Sequence, residues 1–201
     1  PASMPPRFLA VGRFVPKKGP LDTLEAFALL RGLTDQADAC RLVMVGDGPL
    51  LPVVQERVRQ LGLDQYVQFP GVLSPDAVVQ EMRRARVFVQ HSRTAEDGDE
   101  EGCPVSVMEA QLCGLPVVST LHGGIPDVVV DQQTGRLVEE GDRRAMAEAM
   151  ALLVDQPDLA AAWGTAGQLR AQARFTVAHH VDQITMLLND LVDNRRSAAK
   201  A

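Results

Sequence analysis

The chain has 201 residues, 46% of them apolar and 23% charged, with a formal net charge of −6. That is enough for one sizeable domain with a buried core. The acidic balance, the lack of a long Lys/Arg run and an aromatic content of only 4% argue against a phosphate-backbone stripe or a base-stacking surface, so no nucleic-acid partner is expected. Cys40, Cys103 and Cys113 are odd in number and widely spaced, which suits a reducing cytoplasm better than a disulfide framework. No run approaches the ~18 apolar residues of a membrane span, and no signal-peptide pattern opens the sequence.

Residues 1–7 are expected to be a linker. Phe8 to Val11 is a short apolar run ending in Gly12-Arg13, which predicts a buried strand feeding a loop. Gly19-Pro20 opens a helix with Leu21, Leu24, Phe27, Ala28 and Leu30 on its apolar stripe. Between them, Arg13, Lys17 and Lys18 cluster where strand meets helix. Such cations can clamp a diphosphate, Arg bidentately and Lys as a point charge, although a solvated basic loop has the same composition.

Leu42 to Val45 is the second predicted strand. The following Gly46-Asp47-Gly48-Pro49 looks like a dinucleotide fingerprint but has Leu51 where the third glycine belongs, so no nicotinamide site is expected. A helix from about Leu50 to Leu61 ends at Gly62. Tyr66 to Phe69 is the third strand, with Pro70-Gly71-Val72 as its exit loop. Ser74-Pro75 caps a helix through about Arg84. Val87 to Val89 is the fourth strand, and His91 after it reads as an ordinary loop histidine rather than a catalytic base.

The stretch Gln90 to Val130 carries the most chemistry. An acidic loop, Glu96 to Glu101, runs into Gly102-Cys103-Pro104, which opens a helix carrying Glu109 and stopped by Gly114. Pro104 suits the first helical position. A helix N-terminus attracts anions, whereas a nearby carboxylate accepts from the vicinal hydroxyls of a sugar or ribose. The pattern points to a ligand with a phosphate end and a sugar end. A capped helix beside a solvated acidic loop is the alternative.

Pro116 to Val118 is the fifth strand, Leu121 to Asp127 a tight turn opening a helical segment, and Arg136 to Val138 the sixth strand. Asp142 is expected to cap a helix from Arg143 to about Val154. Pro157-Asp158 starts another, to about Leu169. A last helix, about Val177 to Val192, should pack Ile184, Leu187, Leu188 and Leu191 as core. His179 and His180 on it point in different directions and make no metal pair. Residues 194–201 are expected to fray. Six apolar runs alternating with helical patterns predict an α/β, three-layer Rossmann-like domain over residues 8–193, with about six parallel strands and helices on both faces. Ligands in such folds sit at the C-terminal ends of the strands, where Arg13, Lys18, Gly71, Glu101 and Glu109 all fall.

The run Glu101-Gly-x-Pro-x4-Glu109-Ala-x3-Gly114-x-Pro116-Val-Val-x-Thr120-x2-Gly123-Gly124, continued by Asp131-x2-Thr134-Gly135-x-Leu137-Val138 to Gly141-Asp142, resembles the E-x7-E region of retaining family-4 (group 1) glycosyltransferases of GT-B fold. The acidic insert from Thr94 to Gly102 resembles bacterial exopolysaccharide members of the colanic-acid and amylovoran type. The resemblance implies the C-terminal, donor-binding half of such an enzyme. It assigns Arg13 and Lys18 to the leaving diphosphate, Glu101 and the backbone of Gly102, Cys103, Pro104 and Val105 to the transferred sugar and distal phosphate, and Glu109 to the ribose diol. Gly12, Gly71 and Val72 would lie against the nucleotide. No metal or other cofactor is expected, since the cations take that role.

The implied reaction is transfer of a hexose from a nucleoside-diphosphate sugar to a glycan or lipid-linked acceptor, with retention, in cell-surface or exopolysaccharide synthesis. The acceptor half would precede this chain, which alone would transfer sugar poorly. The full-length protein would be cytoplasmic, with peripheral membrane contact as an option, and the last helix could form a dimer. A non-catalytic nucleotide-sugar binding module and a sugar-nucleotide epimerase of the same fold remain as alternatives.

Overall fold

The computed structural model describes residues 5–198, with side chains as far as Leu191. Six parallel strands, β1 (Arg7–Val11), β2 (Arg41–Val45), β3 (Val67–Gly71), β4 (Val87–Gln90), β5 (Val117–Thr120) and β6 (Gly135–Val138), form one sheet in the order β3-β2-β1-β4-β5-β6. Each is followed by helix: α1 (Pro20–Leu30), α2 (Leu51–Gln60), α3 (Pro75–Arg84), α4 (Val105–Leu112), the single turn α5 (Ile125–Val128) and α6 (Arg143–Asp155). Two more helices close the chain, α7 (Pro157–Arg174) and α8 (Val177–Ala198).

The period of two in the strands builds two apolar layers. Phe8, Leu42, Met44, Val87, Val89 and Val118 point to one face, where Leu24 and Phe27 of α1 and Met146, Met150 and Leu153 of α6 cover them. Leu9, Val43, Val45, Phe88 and Val117 point to the other, under Met82 of α3 and Val107 and Ala110 of α4. A strand buried on both faces has no polar side to alternate with, which is why these strands read as continuous apolar runs. β3 contains Pro70, which was expected in an exit loop. β3 is an edge strand, where a missing N–H costs no ladder bond.

Further expectations are corrected. Pro104 is not the first helical residue. Its backbone is extended (φ −65°, ψ 118°) and it serves as the N-cap of α4. His91 is no ordinary loop histidine but fully buried. Ile184, Leu187, Leu188 and Leu191 are all exposed, because no other described element covers that face of α8. Residues 194–198, expected to fray, continue α8, and 199–201 lie outside the described residues. On the linker side, Arg7 already belongs to β1, and residues 1–4 are not described.

Candidate functional site

The strand order reverses between β1 and β4, and a crevice opens there at the C-terminal ends of the strands. The loop after β1, residues 12–19, forms one wall. It ends in a 3-10 turn, Pro16–Lys18, closed by Gly19 in the left-handed region. Its backbone is fixed from behind by the β2 exit: Phe14 N–H donates to the Asp47 carbonyl (2.9 Å), and Leu50 N–H to the Phe14 carbonyl (3.0 Å). A Cβ on Gly46 (φ 131°) would lie 2.0 Å from the Gly12 carbonyl oxygen. The Gly-x-Gly turn is thus a packing surface for the basic loop.

That loop presents its cations in two places. Arg13 is exposed and makes no side-chain hydrogen bond or ion pair among the described residues. It lines an open cleft of about 520 Å³ with Gly12, Gly46, Val72 and Leu73. Gly71, just before Val72, accepts from Gly46 N–H at 2.9 Å. Lys18 lies along Gly12 and reaches across the crevice to Glu101, 2.6 Å from Nζ to Oε2. Lys17 donates to Asp99 (2.9 Å) and to the Glu100 carbonyl (3.3 Å), and stands 3.7 Å from Glu101 Oε1. The hydrogen bond to Asp99 raises the Lys17 ammonium above its ordinary range.

The other wall is the loop from His91 to Pro104 and the start of α4. Below it, a buried polar net joins β4 to its neighbours. Gln90 Nε2 donates to Ser92 Oγ (2.7 Å), Ser119 Oγ donates to the Gln90 carbonyl (2.6 Å), and Ser106 Oγ of α4 donates to Gln90 Oε1 (3.3 Å). This seats α4 with its first-turn N–H groups, which have no intrahelical acceptors, at the crevice. Gly102, Cys103 and Val105 are exposed there while Pro104 is buried. Although the residue is exposed, neighbouring atoms partly desolvate its sulfur, and this, then the charges of Asp127 and Glu101, pushes the Cys103 thiol up. Glu109 is exposed on α4, and its side chain bonds to nothing among the described residues.

The structure therefore brings Lys18 and Glu101 into contact, groups Gly12, Arg13 and Val72 around the adjoining cleft, and sets Gly102 to Val105 on the facing rim. The Glu109 side chain makes no hydrogen bond or ion pair with any of them. The sequence reading missed two things. Lys17 shares Glu101 with Lys18; the Lys-Lys doublet carried that signal. His122 and Glu140 support Glu101, and no motif spacing announced them. Both buried histidines act as acceptors of backbone N–H: His91 Nε2 from Gly141 (2.8 Å) and His122 Nε2 from Glu101 (3.0 Å). Burial is the largest influence on the His91 ring and lowers its pKa from the ordinary value, so it is held neutral. Among the described residues, no group of three or more His, Cys, Asp or Glu side chains is placed to hold a metal ion.

A six-stranded parallel Rossmann-like sheet with helices on both faces is the architecture of one half of a GT-B glycosyltransferase. The family model for group 1 glycosyl transferases matches residues 1–170, and the chain belongs to that family. It is 40% identical over 147 residues to WcaL of Escherichia coli K12, a protein named for colanic acid biosynthesis, covering 73% of this chain and 36% of WcaL. It is 35% identical over 143 residues to the amylovoran biosynthesis glycosyltransferase AmsK of Erwinia amylovora, covering 71% of this chain and 34% of AmsK. This chain thus spans about a third of the length of these curated relatives. Among solved structures, HepE of Anabaena with bound UDP superposes with a TM-score of 0.80 at 24% identity, over 94% of this chain and 50% of HepE.

Proposed function

We propose that this chain is the donor-binding half of a retaining glycosyltransferase that moves a hexose from a nucleoside-diphosphate sugar to a glycan or lipid-linked acceptor in cell-surface or exopolysaccharide synthesis. The observation that carries this reading is the Lys18–Glu101 bridge across the β1/β4 crevice, with unpaired Arg13 beside it and the start of α4 behind it. The UDP bound by HepE and the exopolysaccharide relatives support it.

In this reading Arg13 and Lys18 receive the diphosphate, whose charge grows as the sugar leaves, and preorganised cations and N–H groups there lower the barrier. Glu101 then exchanges Lys18 for hydroxyls of the donor sugar, and Glu109 takes the ribose diol. A carboxylate paired with two lysines is a weak nucleophile, which favours a front-face displacement over a covalent intermediate on Glu101. The acceptor would be bound by the part of the relatives' length that this chain does not span, and the fragment would turn over poorly alone. No described helix is long and apolar enough to cross a membrane.

Calorimetric titration with UDP, GDP and ADP tests the site. One nucleotide should bind selectively, and Arg13→Ala and Glu109→Ala should each weaken it about tenfold or more, the loss of a charge-assisted hydrogen bond. Affinity indifferent to both substitutions would overturn the assignment.

A further inference from the structure

We infer that His122 and Glu140 form a proton-sensitive anchor that positions Glu101 at the crevice. Its catalytic consequence rests on the donor-site reading above; its existence does not. The acidic loop leaves the β4 side at Thr94 and rejoins α4 after Glu101, and both of its ends are tied to this one pair. Thr94 N–H donates to Glu140 Oε2 at 2.9 Å, and Glu101 N–H donates to His122 Nε2 at 3.0 Å. His122 Nδ1 meets Glu140 Oε1 directly. Because Nε2 accepts from an N–H, the ring proton of the neutral form must sit on Nδ1, donated to Glu140. His122 is buried, so water cannot readily replace the bond.

The turn that carries His122 is fitted to the same backbone. Gly123 has φ 50°, and a Cβ there would stand 2.0 Å from the Glu101 carbonyl oxygen. Gly124 N–H donates to the Gly102 carbonyl. With its backbone laid on this turn, Glu101 delivers its carboxylate to Lys18. His122 touches no reacting group; it is a positioning residue acting through the Glu101 amide.

Protonation reverses the arrangement. An imidazolium donates from both nitrogens, so Nε2–H would face the Glu101 N–H donor to donor, and the anchor opens. The charged groups at this pair are Glu140 after β6, in contact with the ring, Arg93 from the β4 exit, whose charge acts on Glu140, and Glu101, whose amide meets the ring and whose carboxylate is paired with Lys18 and Lys17 of the β1 loop. Burial raises the Glu140 pKa, but the hydrogen bonds from His122 and Thr94 and the nearby charges of His122 and Arg93 outweigh it. Its carboxyl is held below the ordinary range, so Glu140 is the ionised acceptor of the pair.

The test uses 15N-labelled protein without ligand, from about pH 8 to about pH 5.5, a range that spans ordinary imidazole titration. Ring nitrogen shifts should show Nε2 unprotonated at the upper end. The Glu101 amide should lose protection from exchange about tenfold on acidification while the Val118 amide in the sheet does not, the loss of one hydrogen bond. His122→Gln places an acceptor near the position of Nε2 and cannot titrate; protection should persist and its pH dependence vanish. His122→Leu should lose protection at every pH. Should His122→Leu fail to fold, the wild-type titration and His122→Gln still decide. An unprotonated Nδ1, or a Glu101 amide indifferent to pH, overturns the anchor.

Titration of the same proteins with UDP, GDP and ADP adds the functional arm. The affinity of the nucleotide that binds should fall about tenfold in His122→Leu and recover in His122→Gln. Protection as expected with no nucleotide binding upholds the anchor and overturns the donor site. Nucleotide binding with an indifferent Glu101 amide does the reverse.

Discussion

The loops after β1 and β4 meet at one salt bridge, yet they are held by different forces. The β1 loop is fixed by backbone: hydrogen bonds from Phe14 and Leu50, and glycines at 46 and 48 packed against the carbonyls of Gly12 and Phe14. The acidic loop has backbone bonds at its start, its tip and its end, but it is tied across the crevice by side chains, with Lys17 on Asp99 and Glu100, Lys18 on Glu101, and the His122–Glu140 pair at its ends. Backbone packing is indifferent to salt and pH, whereas ion pairs and imidazoles are not. One wall of the crevice is built in advance. The other is adjustable, as befits a wall whose carboxylate must let go of lysines when an anion arrives.

The comparison breaks most severely at Gly46. Gly46→Ala adds a Cβ at φ 131°, 2.0 Å from the Gly12 carbonyl oxygen, where backbone must move. We expect a loss of about 3 kcal/mol or more in urea unfolding, by clash and strain together. No single substitution of an exposed carboxylate from Glu96 to Glu100 should exceed ~1 kcal/mol in the same assay. A Gly46→Ala protein as stable as wild type would show that the β1 loop is not built as described.

Lys18→Ala separates binding from stability. The bridge to Glu101 is partly buried, so its removal leaves the Glu101 carboxylate less compensated. Stability should fall by only ~1 kcal/mol, since Lys17 stands close enough to take over. Nucleotide affinity should fall about tenfold to a hundredfold. Asp99→Asn should do the opposite on a smaller scale, freeing Lys17 and strengthening nucleotide binding about threefold. Calorimetry reads both.

The same contrast explains what could be read from the sequence. Strands buried on both faces announce themselves as apolar runs, as β1, β2, β4 and β5 do, and even the half-exposed edge strand β3 was legible within two residues of each end. Ser74 and Asp142 were legible as caps because a short polar side chain before a helix has one obvious acceptor role, and each accepts from the third residue on, Ala77 and Ala145. The basic loop and Glu101 were singled out as charge clustered between strand and helix, and only the family resemblance gave them roles. His122 and Glu140 were not. They lie 18 residues apart and acquire meaning only when β5 and β6 pair and bring their exits together. α8 failed for the converse reason: an apolar stripe says that a face wants a partner, not that this chain supplies one.

The smallest effects are environmental. Raising salt from about 0.05 M to about 0.5 M should lower amide protection in the acidic loop and leave Phe14 and Leu50 unchanged, because only the former depends on solvent-accessible ion pairs. Global stability should respond to pH through the buried neutral ring of His91. With its folded-state pKa below the ordinary value of about 6.5, His91 takes up its proton more readily in the unfolded chain. Its contribution is complete above about pH 6.5 and is lost as pH falls toward the lowered folded value. Urea midpoints should therefore decline below that pH, and His91→Asn, which cannot titrate, should flatten that part of the slope at some cost in stability at pH 8. A wild-type slope no steeper than that of His91→Asn would show that the buried neutral ring contributes nothing to the pH response.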